Sequence, residues 1–361
     1  MNFQEEETME GMNPAQLGYV IVTDYVKANT GLDVSAEIQK VINENPHKTI
    51  YFPDGEYILA NPICTPADPT IAVALELSCF ATLKASEDWS SEEALVRMGG
   101  IYPYNSITIN GSNYHFKGGI IDGSGKANGI SIDSGRETCI SHVSIKNTFI
   151  GVHIKRGANG GSSDSDIEMV NIVGNNEPGS IGVLVEGADN TIRNMRIAAV
   201  QTGILIKREG NSLRDIHPLY IYRWKTEGDK RVVDLESGID HSESVAFDDW
   251  TGGNNWYSYC YSDEFATGFR FKGGSAAIFQ HCFAMWYSKF GKKAVGFECQ
   301  GRLTASINNA NIALRSDMTN RAFLTVTEPG GLGVIENPIF NPAACDDDCY
   351  KDYLFGRVVH G

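Results

Sequence analysis

The sequence predicts an all-β protein built as a solenoid of short stacked strands, with one helix near its start. Three observations support this fold: a repeated glycine-led strand pattern, its nearly regular spacing, and an amphipathic segment before it. In each repeat a glycine precedes an apolar, variable, apolar triplet, as at residues 129–132, 151–154, 182–185, 203–206, 268–271 and 296–299. The step between repeats is 21 to 31 residues, except for one step of 65 between Gly203 and Gly268. We expect a further repeat at 238–241 within that step, because a fixed period of this length is typical of coiled stacks of strands.

The elements before the repeats are predicted in order along the chain. Residues 1–16 are acidic and are expected to form a disordered tail. A strand at 19–22 is followed by a helix at 33–45 that begins at an Asp33 cap. The apolar residues on one face of this helix are Ala36, Ile38, Val41 and Ile42. A strand, a turn containing Pro53 and Gly55, and a second strand then span residues 49–58.

This order of helix, strand and Pro-x-Gly-x-Tyr turn resembles the N-terminal signature of the pectin-lyase-like right-handed parallel β-helix superfamily. The resemblance covers roughly residues 18–330 and implies a right-handed parallel β-helix whose open end is plugged by an N-terminal capping helix. The superfamily includes polysaccharide lyases, glycoside hydrolases, esterases and phage tailspikes, so the resemblance implies a fold without fixing a reaction. We therefore expect a tail at 1–16, a β-helix domain with its helix cap at 17–330, and a C-terminal tail or cap at 331–361.

Composition excludes several classes of function. The chain has 361 residues and a formal net charge of -15 at pH 7. Nucleic acids are bound through clustered lysine and arginine, so this charge argues against a nucleic-acid partner. No stretch approaches the roughly 18 apolar residues that a membrane span needs. Residues 1–11 do not read as a secretion signal. We expect a cytoplasmic protein, or a secreted one if the natural chain carries a leader.

Two columns of side chains are predicted when the repeats are stacked. The first lies at the turns and is expected to be structural, because its polar groups satisfy backbone atoms that strand pairing does not reach. It contains His142, Asn194, Asp215, His281 and Asn309. The second holds the variable residue of each repeat, which faces outward because strand side chains alternate. It contains Ser131, His153, Leu184, Leu205, Asp240, Arg270 and Glu298.

The outward column suggests a candidate site. Coils are about 4.8 Å apart, so Arg270 is expected between Asp240 and Glu298, whose carboxylates would be about 9 to 10 Å apart. Such a trio is either a salt-bridged ladder or part of a sugar-binding groove. In the second case the two carboxylates are far enough apart to leave room for a water molecule between them and the sugar, as in an inverting hydrolase.

Aromatic residues are concentrated where the repeat spacing fails. Four of the five tryptophans lie between residues 224 and 286, together with six tyrosines at 220–287. Flat rings of this kind suit sugar rings, although they also build cores and subunit interfaces. We predict that Trp224, Trp250 and Trp256 bind substrate, with Arg270, Glu298 and His217 as polar partners. His217 begins an insertion between Asp215 and Gly238, and insertions of this kind build binding faces.

Acidic residues crowd the same region and provide the candidate catalysts. Burial beside aromatic rings and a like-charged neighbour pushes the pKa values of two carboxyl groups apart, as acid–base chemistry on sugars requires. Asp248 and Asp249 fit this description best, followed by Asp240 and Glu243, and then by Asp234.

Three functions follow from these residues. The preferred one is a glycoside hydrolase or glycosyl-transferring enzyme that acts on an oligo- or polysaccharide through a carboxylate pair. The second is a polysaccharide lyase with Arg270 or His217 as base, for which calcium would be a plausible aid. The third is a non-catalytic, trimeric carbohydrate-binding or tailspike-like protein. No cofactor motif or metal-ligand histidine pair is present. Cys345 and Cys349 are read as free thiols, with a small disulfide or a metal as the alternatives.

Overall fold

A computed structural model describes residues 18–66, 68, 71–99, 114–133, 137–156, 162–234, 236–288, 290–315 and 317–355. The predicted tail at 1–16 lies outside these residues. Within them the protein is all-β, and its strands pair in parallel in two long sheets, an arrangement consistent with a parallel β-helix. The α-helix Ser35–Glu44 is accompanied by short 3-10 helices at Val22–Asp24, His241–Glu243, Pro342–Ala344 and Cys349–Tyr353.

The two sheets and one hairpin account for all strands in the described part of the chain. The ten-stranded sheet contains Ile63–Cys64, Ala94–Met98, Asn128–Ile132, Ile150–Ile154, Ile181–Val185, Thr202–Ile206, Val245–Asp249, Thr267–Lys272, Ala294–Gln300 and Arg321–Val326. The twenty-stranded sheet contains Val20–Ile21, Thr49–Phe52, Gly55–Leu59, Ala74–Ala85, His115–Asp122, Cys139–Ser141, Ser144–Thr148, Asp166–Glu168, Asn171–Gly174, Thr191–Ala198, Ser212–Leu219, Trp256–Ser258, Tyr261–Asp263, Ile278–Gln280, Phe283–Met285, Ser306–Asn308, Asn311–Ala313, Val334–Glu336, Ile339–Phe340 and Leu354–Phe355. The antiparallel hairpin pairs Trp224–Glu227 with Lys230–Val233.

The glycine-led repeats form the ten-stranded sheet, in which Val152, Val183 and Ile204 occupy successive register positions. The repeat glycines lack a side chain, which leaves space for the atoms of the facing sheet and of the next strand. A Cβ on Gly182 would lie 2.4 Å from Ile197 Cγ2, and the other repeat glycines are similarly crowded by the facing sheet or the next strand. The core also holds a stack of phenylalanines, with ring centroids 4.5 to 5.6 Å apart, formed by Phe247, Phe269, Phe297, Phe323 and Phe340.

The residues of the predicted turn column share a left-handed backbone conformation. His142, Asn194, Asp215, His281 and Asn309 have φ angles of 59°, 54°, 53°, 53° and 52°. They bend the twenty-stranded sheet between consecutive strand segments. Asparagine, aspartate and histidine tolerate this conformation better than most residues, which explains their repetition here.

The predicted repeat at 238–241 is wrong. Residues His241–Glu243 form a 3-10 helix, and Asp240 caps it by accepting a hydrogen bond from Ser242 N. The strand in this coil is Val245–Asp249, which pairs with Thr202–Ile206 and Thr267–Lys272. Ala246 takes the position of the repeat glycine in this strand. The glycine-led pattern therefore occurs in the loop at 238–241 and is absent from the strand Val245–Asp249.

The helix Ser35–Glu44 packs Ile38, Val41 and Ile42 into the core, whereas the predicted apolar-face residue Ala36 is exposed. Gln39 accepts a hydrogen bond from Cys64 N at 2.7 Å and donates one to Cys64 O at 2.8 Å. The helix therefore satisfies the backbone of the first strand of the ten-stranded sheet.

Parallel pairing extends beyond residue 330. Ile339–Phe340 pairs with Asn311–Ala313, and Leu354–Phe355 pairs with Val334–Glu336. Cys345 and Cys349 are free thiols, as expected. In the part of the chain that is described, no helix is long and apolar enough to cross a membrane.

Candidate active site

The adjacent acids Asp248 and Asp249 lie on opposite faces of their strand, so they do not form the predicted pair. Asp249 pairs in register with Ile206 and Phe271 and points into the core, where it is 1% exposed. Its Oδ1 accepts hydrogen bonds from Thr251 N and Oγ1, and its Oδ2 accepts from Asn255 Nδ2 and Tyr257 Oη, all at 2.7 to 2.9 Å. These contacts tie the strand to the following loop.

Asp248 occupies the outward column in the position expected for Asp240. Arg270 Nε donates to Asp248 Oδ1 at 2.9 Å, and Arg270 Nη2 lies 2.5 Å from Oδ2. Glu298 is next in register, and Lys293 Nζ is 2.6 Å from its Oε2. Burial acts to raise the pKa of Glu298, but the Lys293 hydrogen bond and the nearby cations lower it overall. The predicted trio thus exists with Asp248 in place of Asp240, and both carboxylates are paired.

Arg270 is also influenced by Glu243. Burial acts to lower the pKa of Arg270. The hydrogen bonds and the charge of Asp248 outweigh burial, and the charges of Glu298 and Glu243 add to them, so the pKa is raised overall. The face of the ten-stranded sheet is therefore a network of ion pairs.

Several aromatic side chains form a cleft of about 370 Å³ beside the hairpin. We call it the aromatic cleft and define it by Tyr220, Tyr222, Trp224, Tyr287 and Phe290. The Phe290 ring contacts Tyr222 and Trp224 edge-on, at centroid distances of 5.7 and 6.2 Å. Trp224 and Tyr287 are about half exposed, so their rings are available to a ligand.

Two predicted acids, Asp234 and Asp240, line an adjoining pocket together with Tyr220, Tyr222 and Phe290. Hydrogen bonds from Ser242 N and Oγ lower the pKa of Asp240. Hydrogen bonds from Ser237 and from the Glu236 amide lower the pKa of Asp234. Both shifts favour the ionised form of these carboxyl groups. The remaining charged residues of this pocket are Arg223 and Lys292.

Glu264 lies behind the cleft wall and was not among the predicted catalysts. It is 1% exposed and accepts hydrogen bonds from Tyr287 N, from Ser288 N at 2.6 Å and from Tyr222 Oη at 3.3 Å. Burial raises the pKa of Glu264, and Asp263 adds to the effect. Glu264 lies in the acid-rich stretch, but only the three-dimensional contacts distinguish it from its neighbours.

The remaining predicted residues do not line the cleft. Trp250 follows the strand Val245–Asp249 and is 59% exposed on the sheet face. Trp256 belongs to the twenty-stranded sheet and is 42% exposed. Trp286 is buried, and its Nε1 donates to Phe265 O, so part of the aromatic concentration is core. His217 lies 3.5 Å from Asp263 and does not reach the predicted acids.

The described residues contain no group of three histidine, cysteine, aspartate or glutamate side chains placed to hold a metal ion.

The fold is that of the pectin-lyase-like β-helix superfamily, and the comparisons with known proteins give a family within it. Residues 19–228 match the model of the family described as "Rhamnogalacturonase A/epimerase, pectate lyase-like". The chain belongs to this family. The match ends inside the hairpin, so it includes Tyr220, Tyr222 and Trp224 of the cleft but not Tyr287 or Phe290. A comparison with curated proteins finds no match.

Solved structures share the fold at low identity. A mutant tailspike protein of E. coli bacteriophage HK620 is 10% identical with a TM-score of 0.69, over 99% of this chain and 67% of that one. A tailspike protein of Acinetobacter baumannii bacteriophage Fri1, described as a capsular polysaccharide depolymerase, is 10% identical with a TM-score of 0.60, over 95% and 62%. A family 28 exopolygalacturonase of Yersinia enterocolitica is 11% identical with a TM-score of 0.51, over 90% and 71%. At these identities the likeness concerns the fold alone.

Proposed function

We propose that this protein is a carbohydrate-active enzyme that cleaves or transfers a glycosyl group of an oligo- or polysaccharide at the aromatic cleft. The observation that carries the proposal is that carboxyl groups with opposite pKa shifts lie behind the aromatic cleft and in its adjoining pocket. Burial raises the pKa of Glu264, whereas hydrogen bonds lower the pKa of Asp240 and Asp234. Glycosyl transfer needs one protonated and one ionised carboxyl group, and opposite pKa shifts identify the acid and its partner.

Each group has a role in this proposal. Glu264 passes its proton to Tyr222, whose Oη lies 3.3 Å away, and the Tyr222 hydroxyl gives its own proton to the leaving oxygen of the glycosidic bond in the cleft. Asp240 or Asp234 acts as the ionised partner, either on a water molecule or on the sugar. Trp224 and Tyr287 supply flat surfaces for sugar rings, while polar neighbours meet the hydroxyl groups.

The acids of the sheet face have a different role. Asp249 supports the fold, since four donors already surround it. We propose that Asp248, Arg270 and Glu298 maintain an ion-paired surface along which a long glycan extends, with Trp250 as an exposed contact. Fold relatives of this chain include a protein described as a capsular polysaccharide depolymerase, which is consistent with a long substrate.

A panel of polysaccharides tests the proposed reaction. Release of reducing ends without ultraviolet absorbance supports the hydrolase, and transfer to an added sugar supports the glycosyl-transferring enzyme. Unsaturated products that absorb in the ultraviolet would instead identify a polysaccharide lyase. Binding without any product would favour a carbohydrate-binding protein and contradict the proposal.

We also propose that the helix Ser35–Glu44 closes the N-terminal end of the β-helix. Its support is the pairing of Gln39 with both backbone groups of Cys64. Gln39→Ala should lower the free energy of unfolding by about 1–3 kcal/mol, because it leaves these groups unpaired. Lys40→Ala, in an exposed turn of the same helix, should change it by less than about 0.5 kcal/mol. Equal effects in denaturant titrations would contradict the capping role.

A further inference from the structure

A histidine and a carboxylate meet on the outer face of the twenty-stranded sheet, and the proposed reaction uses neither. His217 Nε2 lies 3.5 Å from Asp263 Oδ2, which is too long for a good hydrogen bond. His217 Nε2 and Asp263 Oδ1 are both buried, and neither has a hydrogen-bond partner among the described residues. Asp263 as a whole is only 8% exposed. A potential donor, His217 Nε2, and a potential acceptor, Asp263 Oδ1, are therefore both without a hydrogen-bond partner in the same buried place.

Unpaired polar atoms of this kind are costly, since a buried donor or acceptor has lost its water without gaining a partner. Aromatic packing keeps the pair from closing. The His217 ring stacks on Tyr261 with centroids 4.0 Å apart and planes 18° from parallel. Tyr261 Oη is 3.3 Å from Asp263 Oδ2, so the carboxylate is also held on its second oxygen. Asp249 makes a useful contrast, because both of its oxygens are fully paired.

Asp263 is linked to the aromatic cleft only through its electrostatic effect on Tyr287. Burial raises the pKa of Tyr287, and the charges of Asp263 and Glu264 raise it further. The Tyr287 hydroxyl is therefore within electrostatic range of both acids, and Tyr287 itself lines the cleft.

We propose that His217 and Asp263 form a subsite for one hydroxyl group of a sugar ring. A hydroxyl can donate to Asp263 Oδ1 and accept from His217 Nε2–H at the same time, which matches the two open groups. The inference rests on the proposed function for the nature of the ligand. A subsite built in this way rejects a sugar that lacks the hydroxyl, because both protein groups would again be buried without partners.

Nuclear magnetic resonance of the histidine imidazoles tests the subsite without requiring turnover. The probes are the methyl pyranosides of glucose, galactose, mannose and rhamnose, together with their deoxy analogues. At least one pyranoside should shift the His217 nitrogen resonances, and the matching deoxy analogue should not. His281 is the internal control, because it stacks on Tyr259 in the same way but has no carboxylate within 4 Å among the described residues.

Variants separate the subsite from the reaction. Asp263→Asn and His217→Gln should each abolish the shift and raise KM for a turned-over glycan by about 10- to 100-fold with kcat nearly unchanged, as expected for a lost hydrogen bond to a charged group. His281→Gln should leave both unchanged. Circular dichroism establishes that each variant is folded, and the deoxy-sugar comparison in the wild type needs no variant.

Two results would overturn the subsite: no His217 shift with any pyranoside, or an equal shift in the wild type and Asp263→Asn. The proposed function fails differently. Glu264→Gln should lose turnover and keep the His217 shift. Full turnover in Glu264→Gln with a normal shift would refute the proposed acid and leave the subsite standing.

Discussion

Asp249, Asp248 and Glu264 are all buried carboxyl groups, but the side chains around them differ. Asp249 faces four hydrogen-bond donors, and Asp248 faces the guanidinium of Arg270. Glu264 accepts three hydrogen bonds and has no cation within 4 Å among the described residues, and burial is the main cause of its raised pKa. A carboxyl group whose pKa is raised by burial is suited to act as an acid.

Asp249 is expected to contribute to stability. Asp249→Asn places an amide donor among groups that already donate, so two of them lose their acceptor. The free energy of unfolding should fall by about 1–3 kcal/mol in a denaturant titration. Asp229→Asn, at the exposed tip of the hairpin, is the control and should change it by less than about 0.5 kcal/mol. Wild-type stability in Asp249→Asn would contradict the role assigned here.

Glu264 should make stability depend on pH. Its folded pKa lies above the usual value of 4.5, so the folded protein holds the proton more tightly than the unfolded chain does. Stability from this group is therefore present below 4.5 and is lost as pH rises through the folded pKa. Glu264→Gln mimics the protonated form and should match the wild type at low pH but exceed its unfolding free energy above that window. Parallel pH curves for the two proteins would contradict this assignment.

At the scale of elements, each coil depends on a close approach between the two sheets. The repeat glycines supply it where the facing side chain is large, as where Gly182 meets Ile197 and Gly203 meets Pro218. These strands can be predicted from the sequence because the close approach of the two sheets requires a glycine at the same position of each repeat. It fails in the coil of Val245–Asp249, where alanine occupies the position and a loop at 238–241 imitates the pattern.

Gly182→Ala tests this packing. Its Cβ would lie 2.4 Å from Ile197 Cγ2 and 2.5 Å from Gly203 O, so the sheets must move apart. We expect a loss of about 1–3 kcal/mol in the free energy of unfolding, as for other overpacked cores. Gly252→Ala is the matched control, because nothing lies within 4 Å of its added Cβ. Equal losses in the two variants would show that space at Gly182 is not the reason for glycine.

At the scale of the whole molecule, periodic features were predictable and the site was only partly so. The repeats, the left-handed turn column and the outward position of Arg270 and Glu298 follow from spacing and strand alternation. The cleft does not, because Tyr222 and Phe290 are far apart in sequence and meet only where the insertion folds back. Glu264 could not be singled out from the sequence for the same reason. Its raised pKa is caused by burial, which the residues next to it in the sequence do not reveal.

Turnover of the best glycan by Glu264→Gln and Asp248→Asn is the most direct test of Glu264 as the acid. We expect Glu264→Gln to fold normally and to lower kcat by about 100- to 10,000-fold, the usual effect of removing a general acid. Asp248→Asn should retain most of its kcat while losing stability through its ion pair with Arg270. The opposite result, with activity kept in Glu264→Gln and abolished in a folded Asp248→Asn, would place the chemistry on the sheet face and contradict the role of Glu264.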